Sequence, residues 1–390
     1  MQSKFLEKSH GKQMCELMKY AFNDIRDTMS EEDATSHLNN GVGFGIFEEG
    51  HLVSQVLVPV YEYQVGNRII KSTGIAGVAS YPEVRGKGYV NQIFVDVLNW
   101  EKENDVILSF LHPFSYPFYA QFGYEHIYSN LEITWDTSCF PAGTKTDCLM
   151  KRMTYEDAYP YLDELYHADK NFKRFGMKRP KWRFDENYGK DKGSDIAVCF
   201  DQTGKAMAYV IYHRKHDILT IQEMVTSDLT GLLTIARFIK GHGMSFDKIV
   251  YHSPNPDAGE IPLLSLMEEL YDVDLRWKPN MMMRIVNVSK LLEIYPYRTK
   301  DERLAELTIE VKDRGAPWNC GIFTSKGEFI KAKGRYHLQI RIEDMAALFS
   351  GFRTIETMID LGKAEVTNEE TIALLMRVLL NKKPVISDYF

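Results

Sequence analysis

Apolar residues near the start of the chain recur at helical spacing. Met14, Leu17, Met18 and Ala21 fall three or four positions apart, which predicts an amphipathic helix followed by a polar, acidic connection through Glu31, Glu32 and Asp33. The period then changes to two. Residues 43–47, a turn at Glu48-Glu49-Gly50-His51 and residues 52–63 predict a hairpin, with 67–80 as the next strand. Tyr81-Pro82-Glu83-Val84-Arg85-Gly86-Lys87-Gly88 follows, and then Val90, Ile93, Phe94, Val97 and Leu98 at 3.6 spacing: strand, glycine-bearing turn, helix. Short apolar runs at 106–111 and 131–135 suit buried strands and close a mixed α/β unit.

A similar order recurs further on, with strands at 206–212 and 218–225, a helix at 229–239 and a strand at 248–252. Thr226-Ser227-Asp228 stands where the first unit has its glycines, and Asp228 reads as an N-cap. From Trp277 the texture changes: Met281-Met282-Met283-Arg284-Ile285-Val286 leads into Leu291-Leu292, and strand-like segments at 305–311, 318–324 and 336–340 precede two helices. One helix places Ile342, Met345, Ala346 and Phe349 on a single face. The other opens with Thr367-Asn368-Glu369-Glu370, read as a capping box, and buries Ile372, Leu375, Met376 and Leu379. At 390 residues the chain exceeds what one core organises. The expected fold class is therefore α/β with mixed sheets, in three domains at 1–148, 149–284 and 285–390.

Charge narrows the function classes. With 47 Lys+Arg against 54 Asp+Glu the net charge is −7, which repels polyanions, so no nucleic-acid partner is expected. Residues 170–183 do hold seven basic side chains interleaved with Phe172, Phe175 and Trp182, but against that net charge they read as a solvated linker or a helper for an anionic ligand. No apolar run approaches the ~20 residues that span a bilayer and the start lacks a signal-peptide pattern, so the expectation is no membrane association and a cytoplasmic protein. The five widely spaced cysteines read as reduced packing residues. His213 and His216 have no Cys or carboxylate cluster beside them, so no metal site is expected, and His112 reads as a structural strand-end histidine.

Arg85-Gly86-Lys87-Gly88, between a strand and a helix, carries the strongest local signal. Glycines let a backbone approach a ligand closely, and first-turn amides at a helix N-terminus attract a pyrophosphate. An ordinary basic turn is the competing reading. The segment is neither the Rossmann glycine pattern nor a P-loop. A second element, Phe118-Tyr119-Ala120-Gln121-Phe122-Gly123-Tyr124, follows the next strand. Together these two motifs resemble the GNAT acetyltransferase superfamily. The length, a second GNAT-like unit without the glycine turn, a third domain similar to sterol carrier proteins, and the ending Pro384-Val385-Ile386-Ser387-Asp388-Tyr389-Phe390 resemble the enhanced-intracellular-survival (Eis) acetyltransferases over the whole chain.

The resemblance implies two tandem GNAT units and a sterol-carrier-like domain, acetyl-CoA as co-substrate, and a homo-oligomer, in that subfamily a hexamer. It implies cofactor contacts at Val78, Ala79, Ser80, Arg85, Gly86, Lys87, Gly88, Tyr89 and Val90. Val90 stands where the wider superfamily has Gly or Ala, a departure the resemblance makes expected, since in the Eis subfamily the turn also ends in a larger apolar residue. Tyr119 matches the general acid, the C-terminal carboxylate of Phe390 matches the base, and a cofactor-contacting serine is matched off by one, at Ser115. Amine acetylation needs a neutral nitrogen, donors for an oxyanion and a proton for the departing thiolate. Backbone amides of residues 78–80 could supply the donors, or could pair within the sheet. Asp24, Glu31, Glu32, Asp33 and Asp388 would favour a cationic primary amine such as a polyamine, an aminoglycoside or a lysine side chain, although most read equally as a solvated acidic loop. The apolar ending wants a pocket, either at the active site or against another domain. A rival reading is a lipid- or acyl-CoA-binding protein whose GNAT domain is vestigial.

Overall fold

The computed structural model describes all residues except 1, 23–27, 137–138, 140–144, 190–191, 244, 331–334 and 389–390. Contacts gather the chain into two compact units. One holds the N-terminal residues through Ile127 together with Met281–Lys382; the other holds Tyr128–Asn280 with Lys383–Asp388.

The larger sheet of the first unit runs, from edge to edge, Lys4–Phe5, Gly41–Glu48, His51–Val65, Arg68–Ser80, Leu108–Leu111, Met282–Ile285 and Glu125–His126. The hairpin predicted at residues 48–51 forms with Glu49 at φ 50° and Gly50 at φ 85°, the pair of positive values that a twisted two-residue turn requires. Arg68–Ser80 and Leu108–Leu111 pair in parallel and are connected by the helix Tyr89–Glu103. Ile93, Phe94 and Val97 of that helix pack on Phe44, Ile46, Val56, Val58 and Ile75. The opposite face of the sheet, reached by the alternate residues Leu57 and Ala76, is covered by Met14, Leu17 and Met18 of the helix Gly11–Ala21.

Two strands pair where the sequence pattern did not place them. The run 131–135, expected to close the first unit, is part of Ser129–Asp136 and pairs with Lys248–Ser253 and Asp274–Pro279 in the second unit's sheet. Met282–Ile285, expected to lead toward the third domain, enters the first sheet between Leu108–Leu111 and Glu125–His126. Every residue from Met281 to Val286 is at most 2% exposed, as in a central strand covered on both faces. Alternation identifies a strand; it does not identify the strand's partner.

In the second unit the sheet order is Asp274–Pro279, Ser129–Asp136, Lys248–Ser253, Ile218–Thr226, Ala206–Lys215, Asp195–Phe200, Leu149–Met153. Period two sorts its side chains. Ile196 and Val198 join Leu162, Leu165 and Tyr166 of the helix Tyr155–Ala168, whereas Ala197 and Cys199 join Leu232 and Ile235 of the helix Leu229–Lys240. Asp228 caps the latter helix as predicted, accepting from the Gly231 amide at 2.8 Å. The stretch 170–183 is not a solvated linker. Phe172 and Phe175 are buried, and Arg179, fully buried, meets Asp388 at 2.8 Å and Glu223 at 2.7 Å, while the Tyr209 hydroxyl donates to Glu223 at 2.7 Å. The carboxylates that neutralise Arg179 lie 44 and 209 positions away in sequence, which local charge counting does not see.

The remaining sheet, again in the first unit, orders Phe329–Ile330, Gly321–Thr324, Thr308–Lys312, Leu338–Arg341 and Ala364–Val366. Of the helices packed with these strands, Ile342–Phe349 buries the predicted Ile342, Met345, Ala346 and Phe349. The final helix, Glu369–Val378, departs from prediction. Asn368 is its cap, accepting from Thr371 N at 2.8 Å, while the Thr367 amide donates to the His337 carbonyl. Leu375 and Leu379 are buried as predicted, but Thr371, Leu374 and Val378 complete the buried face, while Ile372 is half-buried and Met376 is 46% exposed. Among the cysteines, Cys15, Cys139 and Cys199 are buried and free as expected, whereas Cys320 is at the surface.

Candidate active site

The strand Arg68–Ser80 changes character partway along. Its parallel pairing with Leu108–Leu111 covers Ser72 to Ile75, and its register with His51–Val65 slips between the pairs Leu57↔Ala76 and Gln55↔Ala79. Two residues, Gly77 and Val78, therefore face Val56 alone. Gly77 takes φ 54° at this bulge, a conformation that costs glycine little. The bulge turns the strand end, Val78-Ala79-Ser80, toward a cavity of about 730 Å³ whose other walls come from Ala21, Phe22, Val84, Arg85, Gly86, Gly88, Tyr89, Val90, Asn91, Phe114 and Phe118.

The glycine turn forms the polar rim. Gly86 and Gly88 have φ of 80° and 79°, and a Cβ on either would meet nothing within 4 Å. Backbone handedness rather than crowding calls for glycine here, and the omitted side chains leave the approach open. Gly88 is the N-cap of Tyr89–Glu103, and the first intrahelical bond runs from the Gln92 amide to the Gly88 carbonyl at 3.0 Å. By helix geometry the amides of Tyr89, Val90 and Asn91 have no acceptor within the helix. All three residues line the cavity. Free amides at the positive end of a 15-residue helix, with Arg85 beside them, make an anion cradle.

Of the predicted cofactor contacts, Val78, Ala79, Ser80, Arg85, Gly86, Gly88, Tyr89 and Val90 line this one cavity. Lys87 does not. Its ammonium pairs with Glu48 at 2.9 Å and is 46% exposed. The Tyr89 hydroxyl donates to the same carboxylate, so Tyr89 and then Lys87 hold Glu48 below the usual carboxylate range.

Ser115 caps the helix Tyr116–Ala120, its hydroxyl accepting from the Phe118 amide at 3.4 Å. Tyr119 on that helix is 3% exposed and lies behind the cavity wall, with ring centroids 5.3 Å from Phe114 and 5.1 Å from Phe118. Burial pushes its phenol well above the ordinary 10, so Tyr119 keeps its proton. Glu31 and Glu32 begin the short helix Glu31–Thr35, and Asp33 bonds back to Ser30 at 2.8 Å; none of the three lines the cavity. Asp388 is held in the second unit by Arg179. Asp24 and Phe390 lie outside the described residues. Sequence reasoning missed Asn91, which follows from counting three free amides past Gly88, and Phe22 and Phe114, for which it offers no signal.

Comparison with known proteins finds three domains in the chain. Residues 2–127 and 176–285 each match an acetyltransferase (GNAT) domain, and residues 288–387 match a sterol carrier protein domain. No curated protein matches the sequence. Among solved structures, a conserved Enterococcus faecalis V583 protein described as "Probable N-Acyltransferase" is 29% identical, with a TM-score of 0.91 over 100% of this chain and 99% of that one. A GCN5-related N-acetyltransferase from Anabaena variabilis is 22% identical with a TM-score of 0.85 over 100% of both chains. Eis1 from Mycobacterium abscessus is 15% identical with a TM-score of 0.82, again over 100% of both. The chain thus carries two acetyltransferase (GNAT) domains followed by a sterol carrier protein domain, and over its full length it shares the fold of GCN5-related N-acetyltransferases, Eis1 among them.

Proposed function

We propose that the protein transfers an acetyl group from acetyl-CoA directly to a primary amine at the cavity lined by residues 78–80 and 85–91. One observation carries the reading: open, positive-φ glycines and unpaired first-turn amides face a bulged strand across a single cavity. The pyrophosphate of acetyl-CoA fits the cradle of Gly86, Gly88, Tyr89, Val90 and Asn91, where amides and the Arg85 guanidinium supply donors and positive charge. The strand end Val78–Ser80 supplies backbone donors to the thioester oxygen as negative charge develops there. Tyr119, kept protonated by burial beside Phe114 and Phe118 of the cavity wall, gives a hydrogen bond to the departing thiolate once the bound cofactor parts those rings, and any proton it gives up is restored from solvent.

The base is the terminal carboxylate of Phe390, an assignment that follows the Eis resemblance. A carboxylate of pKa about 3.5 is a weak acceptor from an ammonium near 10, so it orients the amine and takes the proton late. Phe22, Phe114 and Phe118 offer aromatic faces to a cationic acceptor such as a polyamine, an aminoglycoside or a lysine side chain. A cytoplasmic hexamer completes the Eis-like reading, and light scattering measures the assembly.

The test is turnover of Tyr119→Phe and of a chain lacking Phe390. Each is expected to lower kcat at least tenfold while acetyl-CoA affinity stays within about twofold. Wild-type rates from both would remove the role assignment. Acyl-CoA binding with no amine acetylated would favour the lipid- or acyl-CoA-binding alternative.

A further inference from the structure

The guanidinium of Arg284 joins three stretches of sequence that belong to different domains. Arg284 lies on Met282–Ile285, the last strand of the second acetyltransferase match. Its Nη1 donates to the carbonyl of Phe122, in the first acetyltransferase match, and its Nη2 donates to Asp313 Oδ1 and Oδ2 at 2.9 and 2.7 Å, in the sterol carrier match. Neither side chain has any exposure. Asp313 is itself held by the amides of Gly315 at 2.9 Å and Ala316 at 3.1 Å and by Asn319 Nδ2 at 3.0 Å.

The Phe122 carbonyl belongs to the turn that carries Tyr119. The Phe122 and Tyr124 amides both donate to the Tyr119 carbonyl, at 3.0 and 3.4 Å, so a displacement of Phe122 is a displacement of Tyr119. Gly123 between them has φ 81°, and a Cβ there would lie 1.7 Å from Arg284 Nη1. The glycine of the Phe-Gly-Tyr motif thus makes room for the guanidinium as well as for the turn. A buried ion pair contributes little net stability compared with apolar packing. What a planar, forked donor contributes is direction, fixing one acceptor relative to another.

We propose that Arg284 and Asp313 are positioning residues for Tyr119, through which the sterol-carrier-like domain acts on acetyl transfer within the first unit. The inference rests on the reading of Tyr119 as proton donor.

Steady-state kinetics of Arg284→Lys and Asp313→Asn, alone and combined with Tyr119→Phe, test it, with circular dichroism to confirm folding. Arg284→Lys keeps the charge and loses the fork; Asp313→Asn keeps the volume and one acceptor oxygen. Each is expected to lower kcat roughly 10- to 100-fold, the scale of an ångström's misplacement, with KM for acetyl-CoA within about twofold. In the Tyr119→Phe background neither should cost anything further. An undiminished loss in that background, or a loss expressed in KM, overturns the positioning role and leaves the acid assignment intact. Wild-type turnover from Tyr119→Phe alone removes both. Should Arg284→Lys fail to fold, amide exchange of residues 119–124 in Asp313→Asn decides the matter: faster exchange supports the proposal and unchanged exchange refutes it.

Discussion

Replacing Glu101 by Gln should change how the protein's stability depends on pH. Glu101 lies on the helix Tyr89–Glu103 with its side chain wholly buried, bonded to the Thr73 hydroxyl. Thr73 in turn reaches Ser109 at 3.1 Å, and Ser109 reaches the Tyr124 hydroxyl at 2.7 Å. Burial pushes the carboxyl from 4.5 up to about 7, against the opposing pull of Thr73, Ser109 and the charge of Arg284. In the folded protein the carboxyl therefore holds its proton over a window, between 4.5 and about 7, in which the unfolded chain has lost it. Where the folded state binds more protons, stability falls as pH rises. Across the whole window the loss is on the order of 3 kcal/mol, and above it no further change comes from this group. Gln keeps an oxygen for Thr73 and cannot ionise. Glu101→Gln should match the wild type near about pH 5 and exceed it near about pH 8 by up to roughly 3 kcal/mol, less whatever attraction to Arg284 is lost. Urea unfolding at the two pH values, with hydrogen exchange of residues 89–111 to localise the effect, measures the difference. Wild-type and variant stabilities that change in parallel with pH would refute the reasoning.

Other substitutions probe the site and the core. Gly88→Val places a side chain at φ 79° in the mouth of the cavity; acetyl-CoA Kd by calorimetry should rise at least tenfold, whereas Lys87→Met, whose ammonium is already paired with Glu48, should change it less than about threefold. Asp388→Asn leaves Arg179 with one carboxylate fewer in a fully buried setting and should destabilise the second unit by about 3 kcal/mol or more in chemical denaturation.

Local chemistry made much of this protein legible in its sequence. The hairpin at 48–51 announced itself because only a turn rich in positive φ joins two twisted strands in so few residues, and Asp228 because a short acceptor before an apolar helical run meets an unpaired amide. The cavity turn was legible for the same reason, since glycine at residues 86 and 88 marks backbone that L-residues rarely adopt. What stayed hidden depends on partners distant in sequence. The strands Ser129–Asp136 and Met282–Ile285 have sound local patterns, yet nothing within them specifies the sheet they join. Arg179 reads as a surface charge until Glu223 and Asp388 are brought to it. Arg284, amid apolar neighbours, gave no hint that its acceptors were Phe122 and Asp313. In the last helix Leu375 and Leu379 were placed rightly, but Leu374 rather than Met376 shares their face, a choice between two apolar residues that flank Leu375 and that the period alone does not decide.

The central claim is that the cavity beside Gly88 holds acetyl-CoA while its acetyl group passes to an amine. The most direct measurement incubates the untagged protein with acetyl-CoA and a panel of polyamines, aminoglycosides and lysine peptides, following free thiol and product mass together. The account predicts thiol released in step with acetylated amine, both abolished by Gly88→Trp. Thiol release without acetylated product, or equal product from the Gly88→Trp protein, would contradict it.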